Sequence, residues 1–213
     1  MNYRWMDRME RRVGALAMPG LAAFIAGMNG VVWVMTLLRP GFETLLALDP
    51  DLVRQGQWWR VLTFLFIPPG IAPLWMFFWL YLLYVYASAL EREWGDFRFN
   101  LYYGAGAAAT IAVSLLLGTA LSNAALNAGI FLAFAALYPD FELLLFFVLP
   151  VKVKWLAYIA WLGILWRFLA GGWRERAVLA AQVANYALFF GPRHWEQARL
   201  KLQVWRNRRR FRS

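Results

Sequence analysis

Of 213 residues, 62% are hydrophobic and 16% charged, and 22 Lys+Arg against 12 Asp+Glu leave a formal net charge of +10. An average soluble domain is about 45–50% apolar and about 25% charged. With 13 Trp, 9 Tyr, 17 Phe, one His and no Cys, the composition excludes a disordered chain, a disulfide scaffold, a zinc finger and a cysteine-nucleophile enzyme. A soluble globule of this size has too little interior to hide so much apolar surface. The chain therefore reads as an integral membrane protein with basic ends.

Apolar runs near membrane length, bounded by charge or Pro/Gly, predict all-α architecture with six transmembrane helices. In chain order they are Met18–Leu38, Pro73–Leu90, Leu101–Leu117, Leu121–Tyr138, Trp155–Ala170 and Ala177–Gly191. The first is too long for a signal-peptide core and has no small-residue cleavage site after it, so it is expected to be retained. The last two are short and call for flanking residues or a locally thinned bilayer. The expected organisation is a cytoplasmic segment over 1–17, a membrane domain over 18–191 and a basic amphipathic tail over 192–213.

Two apolar stretches are not expected to cross. Residues 42–68 carry Asp49, Asp51, Arg54 and Arg60, and their Gln57-Trp58-Trp59-Arg60 cluster suits the headgroup level. Residues 141–149 are too short, and an interfacial helix or an extension of the fourth span is predicted there. Most Lys and Arg fall on the side of the N-terminus, in the loops after the second and fourth spans and in the tail. That bias places both termini in the cytoplasm. In the tail, Trp195, Ala198, Leu202 and Trp205 share helical spacing, which predicts a basic helix on anionic lipid headgroups. No nucleic-acid module is recognisable in it, and no nucleic-acid partner is expected. Arginines in excess of lysines suggest a prokaryotic inner membrane.

Polar residues within the spans are few. Asn123 and Asn127 share a face of the fourth span, and Gln182 and Asn185 one of the sixth. They read either as interhelical glue or as a polar cavity able to receive a helix-breaking stretch of another protein's membrane segment. Small residues recur at four-residue spacing: Gly104, Ala108 and Ala112; Ala125, Gly129 and Ala133; Ala177 and Ala181. Core packing is the expectation for these stripes. Arg167 lies near the outer end of the fifth span, placed to snorkel, or to pair with Glu175 in a buried ion pair.

Two segments carry a family likeness. Gly56-Gln57-Trp58-Trp59-Arg60-Val61-Leu62-Thr63 resembles the first-loop motif of the rhomboid superfamily, and Trp59, Arg60 and Thr63 are most similar to its non-proteolytic derlin branch. Glu91-Arg92-Glu93-Trp94-Gly95-Asp96-Phe97-Arg98 resembles the segment after the second helix in that superfamily, with Glu91, Gly95 and Arg98 as its marks. The resemblance covers roughly residues 18–191 and implies a rhomboid-like six-helix bundle with an interfacial first loop.

Active rhomboids carry Gly-x-Ser-Gly at the fourth helix and a His in the sixth. Serine needs a base to become a nucleophile, and the tetrahedral intermediate needs an oxyanion hole. Here the nucleophile's place falls near Ala124, with Ser122 close but lacking glycine framing. The base's place falls near Gln182 or Asn185, and the oxyanion positions near Trp75 and Trp79. The single histidine, His194, lies beyond the sixth span. The resemblance therefore implies a pseudoprotease with no catalytic residues, whose degenerate cavity comprises Trp75, Trp79, Ser122, Asn123, Ala124, Asn127, Gln182 and Asn185. No metal site or cofactor is expected. The expected partners are the bilayer and transmembrane client proteins, bound or routed through the gap between spans two and five, with membrane protein quality control as the concrete version. The alternatives are an active intramembrane serine protease using Ser122 or Ser114, and a small transporter or channel, for which no convincing internal repeat is seen.

Overall fold

The fold was obtained as a computed structural model, which describes residues 4–145 and 149–210. A short amphipathic helix, α1 (Arg4–Val13), leads through a 3-10 turn into α2 (Leu21–Leu38). Three short helices follow: α3 (Phe42–Leu46), α4 (Pro50–Arg54) and α5 (Arg60–Thr63). Then come α6 (Pro73–Trp94), α7 (Asp96–Leu117), α8 (Ala124–Leu137), the strands β1 (Glu142–Leu145) and β2 (Leu149–Lys152), α9 (Val153–Ala170) and α10 (Trp173–Arg210).

Four of these, α2, α6, α7 and α9, are long and apolar enough to cross a membrane. Their faces are greasy on the outside as well. Leu37, Leu74, Phe77, Leu162 and Trp166 are all more than half exposed, as a lipid-facing surface requires. The chain is a predominantly helical integral membrane protein. The expected fourth span is the shorter α8, of 14 residues, about 21 Å against about 30 Å of hydrocarbon. It starts at Ala124 rather than Leu121, because Leu121 pairs with Leu48 in an isolated antiparallel bridge. The expected sixth span lies within α10, which continues as one helix through Pro192. The boundary drawn at that proline thus falls inside a helix. Proline removes a single backbone donor, a local loss that a helix can absorb.

One element differs in kind from expectation. The described residues of 141–149, which leave out 146–148, form neither an interfacial helix nor an extension of α8. Strands β1 and β2 pair antiparallel, Glu142 opposite Lys152 and Leu145 opposite Leu149. Prolines at 139 and 150 hinder a helix through this stretch, whereas a two-stranded edge accepts Pro150. Asp140 fastens the hairpin's base through Lys154 at 2.7 Å and Lys152 at 3.3 Å.

The core lies where α6, α7, α8 and α10 meet. Trp94, Tyr102, Phe189 and Phe190 pack ring against ring there, and Tyr186 stacks on Phe190 with centroids 4.7 Å apart. Buried aromatic pairs of this kind add to the stabilisation from area burial. The amide of Asn185 occupies a notch between two glycines. A Cβ at Gly106 would come within 2.7 Å of its Nδ2, and one at Gly129 within 3.0 Å.

Candidate functional site

The segment around Trp59 and Arg60 and the one from Glu91 to Arg98 hold the scaffold together. Arg60 is buried, 4% exposed. Its Nη1 donates to the carbonyls of Thr44 (2.7 Å) and Ala47 (2.9 Å), and its Nε to Oε1 of Gln57 (2.8 Å). Thr63 Oγ1 donates to the Leu46 carbonyl. Together these side chains satisfy carbonyls at the end of α3. Gly56 takes φ +100° to turn the chain into this clamp, a conformation open to glycine. Trp59 remains 53% exposed and reaches the Leu45 carbonyl with its ring nitrogen at 3.4 Å.

At the opposite end of α6, Glu91 accepts the backbone N–H of Ala22. A carboxylate thus meets the positive end of α2. Gly95 links α6 to α7 at φ +81°. Arg98 pairs with Asp7 (2.8 Å) and Glu10 (3.4 Å), tying α1 to α7. Asn100, which carried no expectation, exchanges two hydrogen bonds with the backbone of Met18.

The clamped loop covers the start of α8. Asn123 donates its Nδ2 to the Leu65 carbonyl at 2.8 Å, and Arg54 reaches the Leu115 carbonyl. Asn123 therefore glues α8 to the first loop rather than to α10. On either side of this covered helix start lies a cavity.

The larger, about 650 Å³, separates α6 from α9 above the face of α8. One stripe of α6 lines it with Trp79, Leu82, Leu83 and Tyr86, residues spaced to share a helix face. Ala124, Asn127, Ala128 and Phe131 of α8 form its floor, with Ile67–Gly70, Leu143 and Leu156 at its edges. The wall is mostly apolar with few polar groups, the usual character of a binding cavity. Asn127 Oδ1 is buried without a hydrogen-bond partner among the described residues. Three other buried atoms share that condition, on Asn29, Glu43 and Tyr103, but those residues do not line this cavity. Buried polar groups are normally paired, so this unpaired acceptor on a residue of the cavity floor is a place for a donor.

The smaller cavity, about 330 Å³, is bounded by α7, α8, α10 and the end of α9. Ser122, Ala124 and Gln182 share it, together with Thr110 and Arg167. Ser122 and Ala124 border both cavities. The expected cavity is thus two cavities, and two expected members line neither. Trp75 stands on the first turn of α6, 44% exposed. Asn185, three residues beyond Gln182, turns away into the glycine notch, its Oδ1 accepting the Tyr186 N–H. His194 falls twelve residues beyond Gln182 on α10, about 18 Å along the axis. Arg167 does pair with Glu175, at 3.0 Å, but both are well exposed, 57% and 39%.

No pattern in the sequence singles out Tyr86, Phe131 or Leu143. The first two are visible in retrospect as continuations of the Trp79 and Asn127 stripes. Leu143 depends on the hairpin. Compared with known proteins, the chain matches no family model and no curated protein.

Proposed function

We propose that this chain is a non-catalytic, rhomboid-like membrane protein that binds or routes transmembrane client proteins. The observation that carries the reading is the groove between α6 and α9, with its orphaned Asn127 acceptor. The middle of an intact transmembrane helix has its backbone N–H groups bonded internally. A client with a helix-breaking or hydroxyl-bearing stretch has a donor to spare for Asn127. Helix α9 buries little more than Val153 and Ala157, which favours entry beside it from the lipid. In this reading both termini are cytoplasmic, the membrane is a prokaryotic inner membrane, and membrane protein quality control is the setting.

The non-catalytic part of the proposal rests on chemistry. Among the described residues no histidine, lysine or carboxylate lines either cavity, so Ser122 has no base to take its proton. The motif likeness at Trp59-Arg60 and Glu91–Arg98 supports the rhomboid-like part.

The test is site-specific photocrosslinking in native membranes. A photoreactive residue at Phe131 is expected to capture membrane proteins that the same residue at lipid-facing Leu74 does not. Capture at Phe131 should fall when Arg60→Ala loosens the loop above the groove, and Trp59→Ala serves as the milder companion. Equal capture at both positions would remove the proposal's support.

A further inference from the structure

We propose that the smaller cavity is a docking site for the phosphate of a phospholipid. Three residues with side-chain donors line it from different elements. Arg167 uses its Nε on Glu175, and its two terminal nitrogens bond to nothing among the described residues. Gln182 offers an amide that likewise has no protein partner there. Ser122 contributes a hydroxyl whose oxygen accepts the Ala124 N–H. Among the described residues Arg167 carries the only charge that lines the cavity, and a planar guanidinium with a neighbouring amide suits a phosphate's oxygens.

Depth selects the source of that phosphate. Arg167 lies one turn from the end of α9, and Glu175 in the first turn of α10. Trp166 and Trp173 beside them are 72% and 67% exposed. Exposed tryptophans at helix ends mark the headgroup level of a bilayer. A lipid phosphate there needs only lateral movement to reach Arg167, with its chains left along the exposed apolar face of α9. This inference concerns a different cavity from the client groove, and it stands or falls separately.

The test is native mass spectrometry of the whole chain in detergent with added phosphatidylglycerol, or with diacylglycerol of the same chains. Wild-type protein is expected to hold the phospholipid about tenfold more tightly, the worth of a charged hydrogen bond or two. Arg167→Gln and Gln182→Leu should each bring the two lipids together. Arg174→Gln should not, because that exposed arginine lies over the Trp173 ring and outside the cavity. Equal binding of both lipids to the wild-type chain, which needs no variant to fold, would overturn the proposal. So would an effect of Arg174→Gln as large as that of Arg167→Gln. Saturation by inorganic phosphate alone, with no preference between the lipids, would overturn the lipid as occupant.

Discussion

Two glycines on α7, two residues apart, should respond oppositely to the same substitution. Gly104 has nothing within 4 Å of where a Cβ would stand. At Gly106 that atom would lie 2.7 Å from Asn185 Nδ2 and 2.7 Å from Leu126 Cδ2. Alanine is favoured over glycine in a helix by about 1 kcal/mol, so Gly104→Ala should gain up to that much. Gly106→Ala makes the same gain and adds overpacking of about 1–3 kcal/mol. The two variants should therefore differ by about 1–3 kcal/mol. For a chain of this size that corresponds to roughly 2–12 °C in melting temperature. Thermal unfolding in detergent measures the difference directly. Adding Asn185→Ala to Gly106→Ala should recover part of the loss, since Leu126 still obstructs, and a double-mutant cycle gives the coupling. Equal melting temperatures for the two alanine variants would refute the tight approach of α7 and α10.

Arg60→Ala should cost about 2–4 kcal/mol, because three partly buried acceptors lose a charged donor, and limited proteolysis should then cut within residues 39–72. Tyr102→Phe removes the hydroxyl that donates to the Gly129 carbonyl at 2.7 Å and should cost about 1 kcal/mol, read by the same melt. Hydrogen bonds from Lys154 and then Lys152 hold the Asp140 carboxyl below the ordinary carboxylate range. A depressed native pKa means that its contribution is present at neutral pH and lost as pH falls through the native value. Protection factors for hydrogen exchange in the hairpin, corrected for the intrinsic rate at each pH, should fall in acid, and Asp140→Asn should remove that dependence. Ser122 should stay unlabelled by a fluorophosphonate probe. Labelling that Ser122→Ala abolishes would show a nucleophile activated by some other route.

Long, uniformly apolar stretches announced themselves. Helices α2, α6, α7 and α9 begin and end within a few residues of their expected bounds, except that α7 starts earlier, at Asp96. Charge and glycine punctuate these runs, and hydrocarbon length fixes their extent. Tertiary contacts decided the rest. The start of α8 is set by the Leu48–Leu121 bridge, which lies 73 residues apart in sequence. An apolar run such as Phe141–Leu149 is compatible with strand or helix by pattern alone. The small-residue stripes show the limit most plainly. Gly129 and Ala133 are buried as expected, while Gly104, Ala108 and Ala112 face outward and the adjacent Gly106 makes the close approach. Spacing identifies a face of a helix, and only the partner determines whether that face is used. The same holds at the candidate site. Asn123, Asn127 and Gln182 were recognisable as polar residues in apolar helices, but their division between two cavities depends on how α8 sits beneath the first loop.

Helix α10 has a mechanical consequence. Its 38 residues measure about 57 Å, against about 30 Å of hydrocarbon. A sixth span within it would leave roughly half of its length outside the membrane, on the same helix that carries Gln182 and Asn185. Asn185, in the Gly106–Gly129 notch, lies 25 residues from Arg210, about 38 Å, so a rotation of about 10° there would move that end by about 7 Å. Small changes in how tightly the smaller cavity is filled would thus be magnified at that distant end.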